Sequence, residues 1–546
     1  MPLAACAPDP YRSPTEMSDL SLAIVNARVW TGDPARPWAD AVAVAGDTIA
    51  FVGGSAELRK RVPSGTRVID AQGGLVTPGF IDAHVHFLTG GFALASVQLR
   101  DARTPEVFVQ RIAEHARTRP AGTWIQNGDW DHEQWGGDLP TRAWIDSVTP
   151  DHPMWINRLD GHMALANSAA LRAAGVDRDV ADVAGGEIVR DASGELTGVF
   201  KDNAMSLVER AIPAPSDDEL DRALDAAMTY VAAQGVTAVH HMGFWEELPV
   251  FQRARDRDVL RTRIYAAVPL ATHERLAAHV RERGRGDDWF RVGLLKAFVD
   301  GSLGSHTAAM LEPFTDAPTD TGFFVTDPDT LLARVRAADA AGLQLAIHAI
   351  GDRAIRTQLD IFATVAREHG SRDRRWRIEH AQHIHPDDIA RFAELGVIAS
   401  MQPYHAIDDG RWAEKVIGAE RALGTYAFRS LLDARATLAF GSDWFVAPPI
   451  PVEGLYAAVT RRTLDDAHPD GWVPSQRITL EEALRAYTQG AAYAGFADER
   501  TGTLRRGLLA DLVLLDTDLT RLAPERLREA RVRLTVVGGR IVHEAP

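Results

Sequence analysis

Between residues 79 and 444 the chain alternates eight short apolar runs with helix-like stretches, and no other feature restricts its fold as strongly. The runs are GFIDAHVHF (79–87), VTAVHHMG (236–243), TRIYAAVPL (262–270), VGLLKAFVDG (292–301), LQLAIHAIG (343–351), WRIEHAQH (376–383), VIASMQPYH (397–405) and TLAFGSDW (437–444). Each has the length of a buried strand. The intervening PDTLLARVRAADAAG and PDDIARFAELG open on Pro-Asp and close on Gly, the start and stop signals of a helix. Repeated βα units predict a parallel sheet. Eight of them predict a distorted (β/α)8 barrel, with a doubly wound sheet as the alternative.

At 546 residues the chain is longer than one core usually organises, so a second unit is expected. LAIVNARVW, AVAVAGDTIAFVGG and TRVIDAQGGLVTPG read as antiparallel β structure near the N-terminus, and LLADLVLLDTDL and RVRLTVVGGRIVHE read the same way near the C-terminus. The two half-sets are expected to close into one small β-sandwich beside the barrel. The expected division is a tail at 1–19, sandwich at 20–77, barrel at 78–496 and sandwich again at 497–546. Residues 88–235 form an insertion containing the strand-like TWIQNGDW and a hairpin, AGGEIVRDASGELTGVF. Insertions after barrel strands commonly shape the substrate pocket.

The net charge of −16 argues against a basic surface for nucleic acid or anionic membrane. The single cysteine, Cys6, excludes an intrachain disulfide and a thiolate metal cluster, whereas 19 histidines are available. No uninterrupted apolar run reaches membrane-spanning length. The LAAC at residues 3–6 has the form of a lipoprotein cleavage box without the charged and apolar regions that precede one. A cytoplasmic location is expected for the chain as it stands. A periplasmic or lipid-anchored one is the alternative if the box belongs to a truncated signal peptide, and Met17 is an alternative start. A small-molecule substrate is expected, and a homo-oligomer is left open.

Catalytic groups of a barrel sit at the C-terminal ends of its strands. Those ends carry His84 and His86, Lys296, His348, His380 or His383, and Asp443. Alternation along a strand puts His84 and His86 on one face, into the barrel mouth. Imidazole and carboxylate together suit zinc and other late first-row metals. Lys296 stands in an apolar strand, where a charged ammonium costs several kcal/mol unless it is paired or neutral.

PGFIDAHVHF, the strand-4 lysine, AIHAIGD, RIEHAQ and AFGSDW together resemble the metal-dependent amidohydrolase superfamily. KAFVDGSLGSHTA, NRLDGHMALANSAAL and GGEIVRDASGELTG resemble its amidohydrolase-3, YtcJ-like branch, over roughly residues 20–545. The resemblance implies a distorted barrel beside a sandwich built from both chain ends. It implies one or two divalent ions, zinc by default. His84 and His86 would bind the more buried ion, His348 and His380 the second, and Lys296, often N6-carboxylated in relatives, would bridge them. Asp443 would touch metal and hydrolytic water, accept its proton and pass it to the leaving amine. His380 is preferred over His383 because it follows Ile-Glu directly, as in the family motif.

Asp160, His162 and Asn167 of the insertion are candidates for substrate contact on the same resemblance. Asp300, Gln402 and His405 are candidates from the ends of strands 4 and 7. Trp130, Asp131 and Trp135 line the pocket or simply pack, Arg353 is read as structural, and His240 and His241 as packing or supporting residues. Two departures bear on specificity: His306 where relatives frequently carry arginine, and Phe445 where proline is common. The expected activity is hydrolysis of an exocyclic amide-type C–N bond in an N-acyl or N-formyl amine. The alternatives are ester, lactone or carbamate hydrolysis on the same site, heterocycle deamination, and a non-catalytic binding protein. HAIGDRA lacks the glutamate that follows the strand-5 histidine in deaminases of the superfamily.

Overall fold

The structure, a computed structural model, describes residues 17–546, so Cys6 and the LAAC box lie outside the described residues. Its centre is one eight-stranded sheet in which every neighbouring pair is parallel. In chain order the strands are β1 (Phe80–Val85), β2 (Val236–Met242), β3 (Arg263–Pro269), β4 (Phe290–Phe298), β5 (Gln344–Ala349), β6 (Arg377–His380), β7 (Ile398–Met401) and β8 (Leu438–Phe440). Just beyond the end of β8 the sheet closes on itself. The Asp443 N–H donates to the His84 carbonyl at 2.7 Å and the His86 N–H to the Trp444 carbonyl at 2.6 Å. Closure rules out a doubly wound sheet, which is open.

The strand cores fall where the apolar runs predict, and the ends differ for local reasons. VIASMQPYH stops being a strand at Met401 because Pro403 opens a helix, Pro403–Asp409. WRIEHAQH stops at His380, whose φ of 70° ends the extended backbone. The helix Pro328–Ala340 begins on an Asp327 cap whose side chain accepts the Thr330 N–H. Ile389–Leu395 ends on Gly396 in the left-handed conformation.

Two further β layers flank the barrel. A four-stranded sheet runs in the order Thr48–Gly53, Ala41–Ala45, Leu20–Val25, Arg67–Asp70. In a six-stranded sheet Leu512–Leu515 pairs antiparallel with Leu75–Pro78, so the two ends of the chain share one sheet. Leu22, Ile24, Val42, Val76, Leu512 and Val536 fill the apolar core between these layers. The insertion folds as a five-stranded sheet of its own. It includes the expected hairpin, Gly186–Arg190 against Leu196–Asp202, and a short strand, Ile125–Gln126, inside TWIQNGDW. The tight turn at residues 158–162, between Met154–Asn157 and Met163–Ala166, brings this sheet to the barrel mouth.

Candidate metal centre

Strand alternation puts Asp82, His84 and His86 on one face of β1, and the side-chain partners agree. Asp82 reaches across the barrel seam and accepts the Ser442 N–H at 2.8 Å and the Ser442 hydroxyl at 2.5 Å. Those bonds fix the turn that carries Asp443, whose φ is 61°. Asp443 Oδ1 then lies 3.4 Å from Nε2 of both His84 and His86, with no hydrogen-bond partner of its own. Burial alone would raise the Asp443 carboxyl, but His84 and then His86 outweigh it and hold it at about 2. It is therefore ionised at neutral pH.

His84, His348 and His380 each have one ring nitrogen committed to a neighbouring acceptor. His84 Nδ1–H donates to Glu379 Oε2 at 2.5 Å. Glu379 is fixed in turn by Arg377, through Nε at 2.7 Å and Nη2 at 3.0 Å. His348 Nε2–H donates to the Gly301 carbonyl at 3.0 Å, and its buried Nδ1 has no partner. His380 Nδ1–H donates to Gln402 Oε1 at 2.9 Å. Burial pushes all three rings well below the usual histidine value, so they are neutral. Neutral rings with one nitrogen anchored are the form in which histidine ligates a metal. The rings converge: His84 and His380 have centroids 4.8 Å apart, His348 and His380 4.6 Å. Lys296 Nζ sits 3.3 Å from His84 Nε2. Burial lowers its pKa to about 8 although Glu379 and Asp443 pull the other way.

Two three-residue groups could hold an ion, His84–His86–Asp443 and His380–His405–Asp443, with ligand atoms in each within 4.8 Å of one another. Unpartnered buried atoms on Asp443 and His348, neutral imidazoles and a nearby anion make the donor set fit a divalent cation. His383 lies apart from these groups, with its Nδ1 on the Thr425 hydroxyl at 2.9 Å.

A cleft opens onto this centre. Asp160, His162, His348, His380, His405 and Asp443 are among its walls. His162 Nδ1–H donates to Asp202 Oδ1 at 2.7 Å, and its ring lies 4.8 Å from that of His348. Asp160 accepts from the Ser302 and Ser305 hydroxyls at 2.5 and 2.9 Å and pairs with Arg158 at 2.7 Å. Other candidates sit outside the cleft lining. Asp300 accepts three backbone N–H groups, from Ala309, Ile350 and Gly351. His306 pairs with Asp316 at 3.1 Å. Asn167 caps the helix Ser168–Ala174. Trp130 donates to the Ile156 carbonyl, Asp131 accepts from Arg411, and Trp135 packs on Phe108 and Trp144. Arg353 binds the carbonyls of Thr321 and Gly322. His240 accepts from Arg377, and His241 contacts Glu247 at 3.0 Å.

Sequence reading missed Asp82, Glu379, Arg377, Arg158 and Asp202. Three of them carried a visible signal. Asp82 stands two residues before His84, in phase with the histidine pair, and Glu379 and Arg377 are charges alternating within an otherwise apolar strand.

A closed parallel barrel whose strand ends gather neutral imidazoles, a depressed lysine and an ionised aspartate has the architecture of a metal-dependent hydrolase. Comparison with known proteins makes the class specific. The profile described as "Amidohydrolase family" spans residues 67–543, and the chain belongs to that family. It is 40% identical to Protein LONG AFTER FAR-RED 3 of Arabidopsis thaliana, over 91% of this chain and 87% of that one. It is 31% identical to N-substituted formamide deformylase of Arthrobacter pascens, over 97% and 99%. An uncharacterized metal-dependent hydrolase from Pyrococcus horikoshii has a crystal structure that superposes with a TM-score of 0.75 at 26% identity, covering 92% of this chain and 99% of that one.

Proposed function

We propose that the protein hydrolyses an exocyclic amide-type C–N bond, releasing an amine from an N-acyl or N-formyl substrate. The observation that carries this reading is Asp443: a buried, ionised carboxylate with an unpartnered oxygen 3.4 Å from two histidines, at the floor of a cleft. The similarity to a formamide deformylase along nearly the whole chain supports the choice of bond.

His84, His86 and Asp443, with Lys296, His348 and His380 beside them, would hold one or two divalent ions, zinc being the default for nitrogen and oxygen donors. A divalent ion held there would supply Lewis-acid chemistry, polarising a substrate carbonyl and lowering the pKa of water from 15.7 towards about 7. Asp443 takes the proton from the attacking water and returns it to the nitrogen of the departing amine, which leaves only when protonated. Glu379 holds His84 in the tautomer that keeps Nε2 free. His162, fixed by Asp202, faces the cleft from the insertion and contacts the substrate. Lys296, with a pKa of about 8, presents a usable neutral fraction at neutral pH. Its amine adds CO2, forming an N–C bond and releasing a proton, and becomes an anionic carbamate suited to bridging two ions.

The test is a screen of N-formyl and N-acyl amines, esters and lactones with protein of measured metal content, beside Asp443→Asn. Amine release that depends on metal and falls 100-fold or more in the variant is expected. Activity surviving complete metal removal contradicts the reading, and turnover confined to esters or lactones replaces it with the other bond class.

A further inference from the structure

His405 is the one cleft imidazole that the scheme above leaves without a task. It is buried, and Nε2 has no hydrogen-bond partner. A buried polar atom without a partner is destabilising. Such an atom in a cleft wall marks a place for a group that is bound in the working protein.

The two oxygens of Asp443 indicate which group. Oδ1 faces Nε2 of His84 and His86 at 3.4 Å, while Oδ2 lies on the His380 side, 3.8 Å from the Nδ1 that Gln402 holds. His380, His405 and Asp443 present ligand atoms within 4.8 Å of one another. Two donors on a single zinc ion, each at roughly 2.0–2.1 Å, stand no more than about 4.2 Å apart. Small side-chain rotations close that difference.

We infer that His405 is a metal ligand, sharing with His380 and Asp443 a second ion position beside the one at His84 and His86. The inference rests on the metal-hydrolase reading and extends its donor set to the end of β7. It gives Gln402 a defined part as well. Gln402 lies three residues before His405 at the same strand end and holds Nδ1 of His380, so the β7 end orients one donor of the position and supplies another.

The experiment is a metal titration of chelator-stripped full-length protein with cobalt(II) and zinc(II), read by bound equivalents and by the visible cobalt bands. Wild type is expected to bind two equivalents. His405→Ala and His405→Gln should lose the second equivalent, or bind it at least tenfold more weakly, with the first unchanged. His86→Ala should weaken the other equivalent, and His405→Asp, which restores an oxygen donor, should recover part of the second. His405 variants that titrate like wild type overturn the inference while leaving the metal-hydrolase reading intact. A wild type that binds no ion at all removes both. Should the variants fail to fold, carbethoxylation of wild type decides: His405 should be shielded by two equivalents of metal but not by one, and equal modification in both states overturns the assignment.

Discussion

Glu379 anchors both His84 and Arg377 although all three side chains are shut off from water. Glu379→Gln keeps its shape but removes the charge, so the guanidinium of Arg377 loses its anion and His84 loses the acceptor that fixes its tautomer. Metal affinity is expected to fall 10–100-fold and stability by roughly 3–5 kcal/mol, read by chelator competition and by urea unfolding. Lys296 yields a pH prediction. Burial sets its pKa at about 8, below the 10.5 of a free lysine, so the neutral amine prevails above pH 8 and the ammonium below. At fixed dissolved CO2, metal reconstitution of the stripped protein should accelerate as pH rises through about 8, and Lys296→Ala should abolish that dependence. A flat profile in wild type argues against the carbamate. Both residues show what one sequence can reveal at this scale. Lys296 was legible because a charge in an apolar strand demands a reason. Glu379 was legible only in part: its alternation with Arg377 in one strand could be read, but its contact with His84, 295 residues away, is made only by the folded barrel.

The seam between β1 and β8 is where an element-scale change reaches the centre most directly. Gly441 packs so closely that a Cβ there would meet the His84 N–H nitrogen at 2.6 Å and Asp82 Oδ1 at 2.7 Å. Gly441→Ala is therefore expected to pry the end of β8 from β1, stretching the Asp82–Ser442 bonds that hold Asp443. Overpacking of this kind costs about 1–3 kcal/mol. The predicted signature is a lower unfolding midpoint together with a loss in kcat larger than any change in KM, because Asp443 moves while the outer cleft stays. Unchanged kcat would show that the seam does not position Asp443. The strands themselves were legible from their apolar runs and from the Pro and Gly that punctuate the helices. Their exact ends were less so: His380 leaves the strand at a φ of 70°, so alternation could not decide between it and His383. The family motif supplied the preference for His380.

At the scale of the whole molecule, the barrel and the flanking sheets are locked by a buried ion pair. Arg263, at the start of β3, donates to Asp511 from Nε at 2.7 Å and from Nη2 at 2.9 Å. The same carboxylate accepts the Gly538 N–H at 2.8 Å, and the Asp511 carbonyl accepts the Gly79 N–H just before β1. One residue thus ties the C-terminal strands to the barrel and to the segment leading into its first strand. The pairing of the two chain ends was legible as two matching half-sets of strands. This lock was not, since Arg263 and Asp511 are 248 residues apart and each looks like an ordinary surface charge in isolation. Asp511→Ala leaves a buried guanidinium unpaired, a loss of roughly 3–5 kcal/mol. The centre lies at the other end of the strands, so metal content and kcat at 25 °C should remain near wild type while the unfolding midpoint drops. If Arg263–Asp511 is what makes the two layers unfold together, the variant's single transition should also split in two, the flanking sheets melting first and the metal-loaded barrel later. A variant that retains one sharp transition at the wild-type midpoint would show that the apolar core between the sheets couples the layers without this pair.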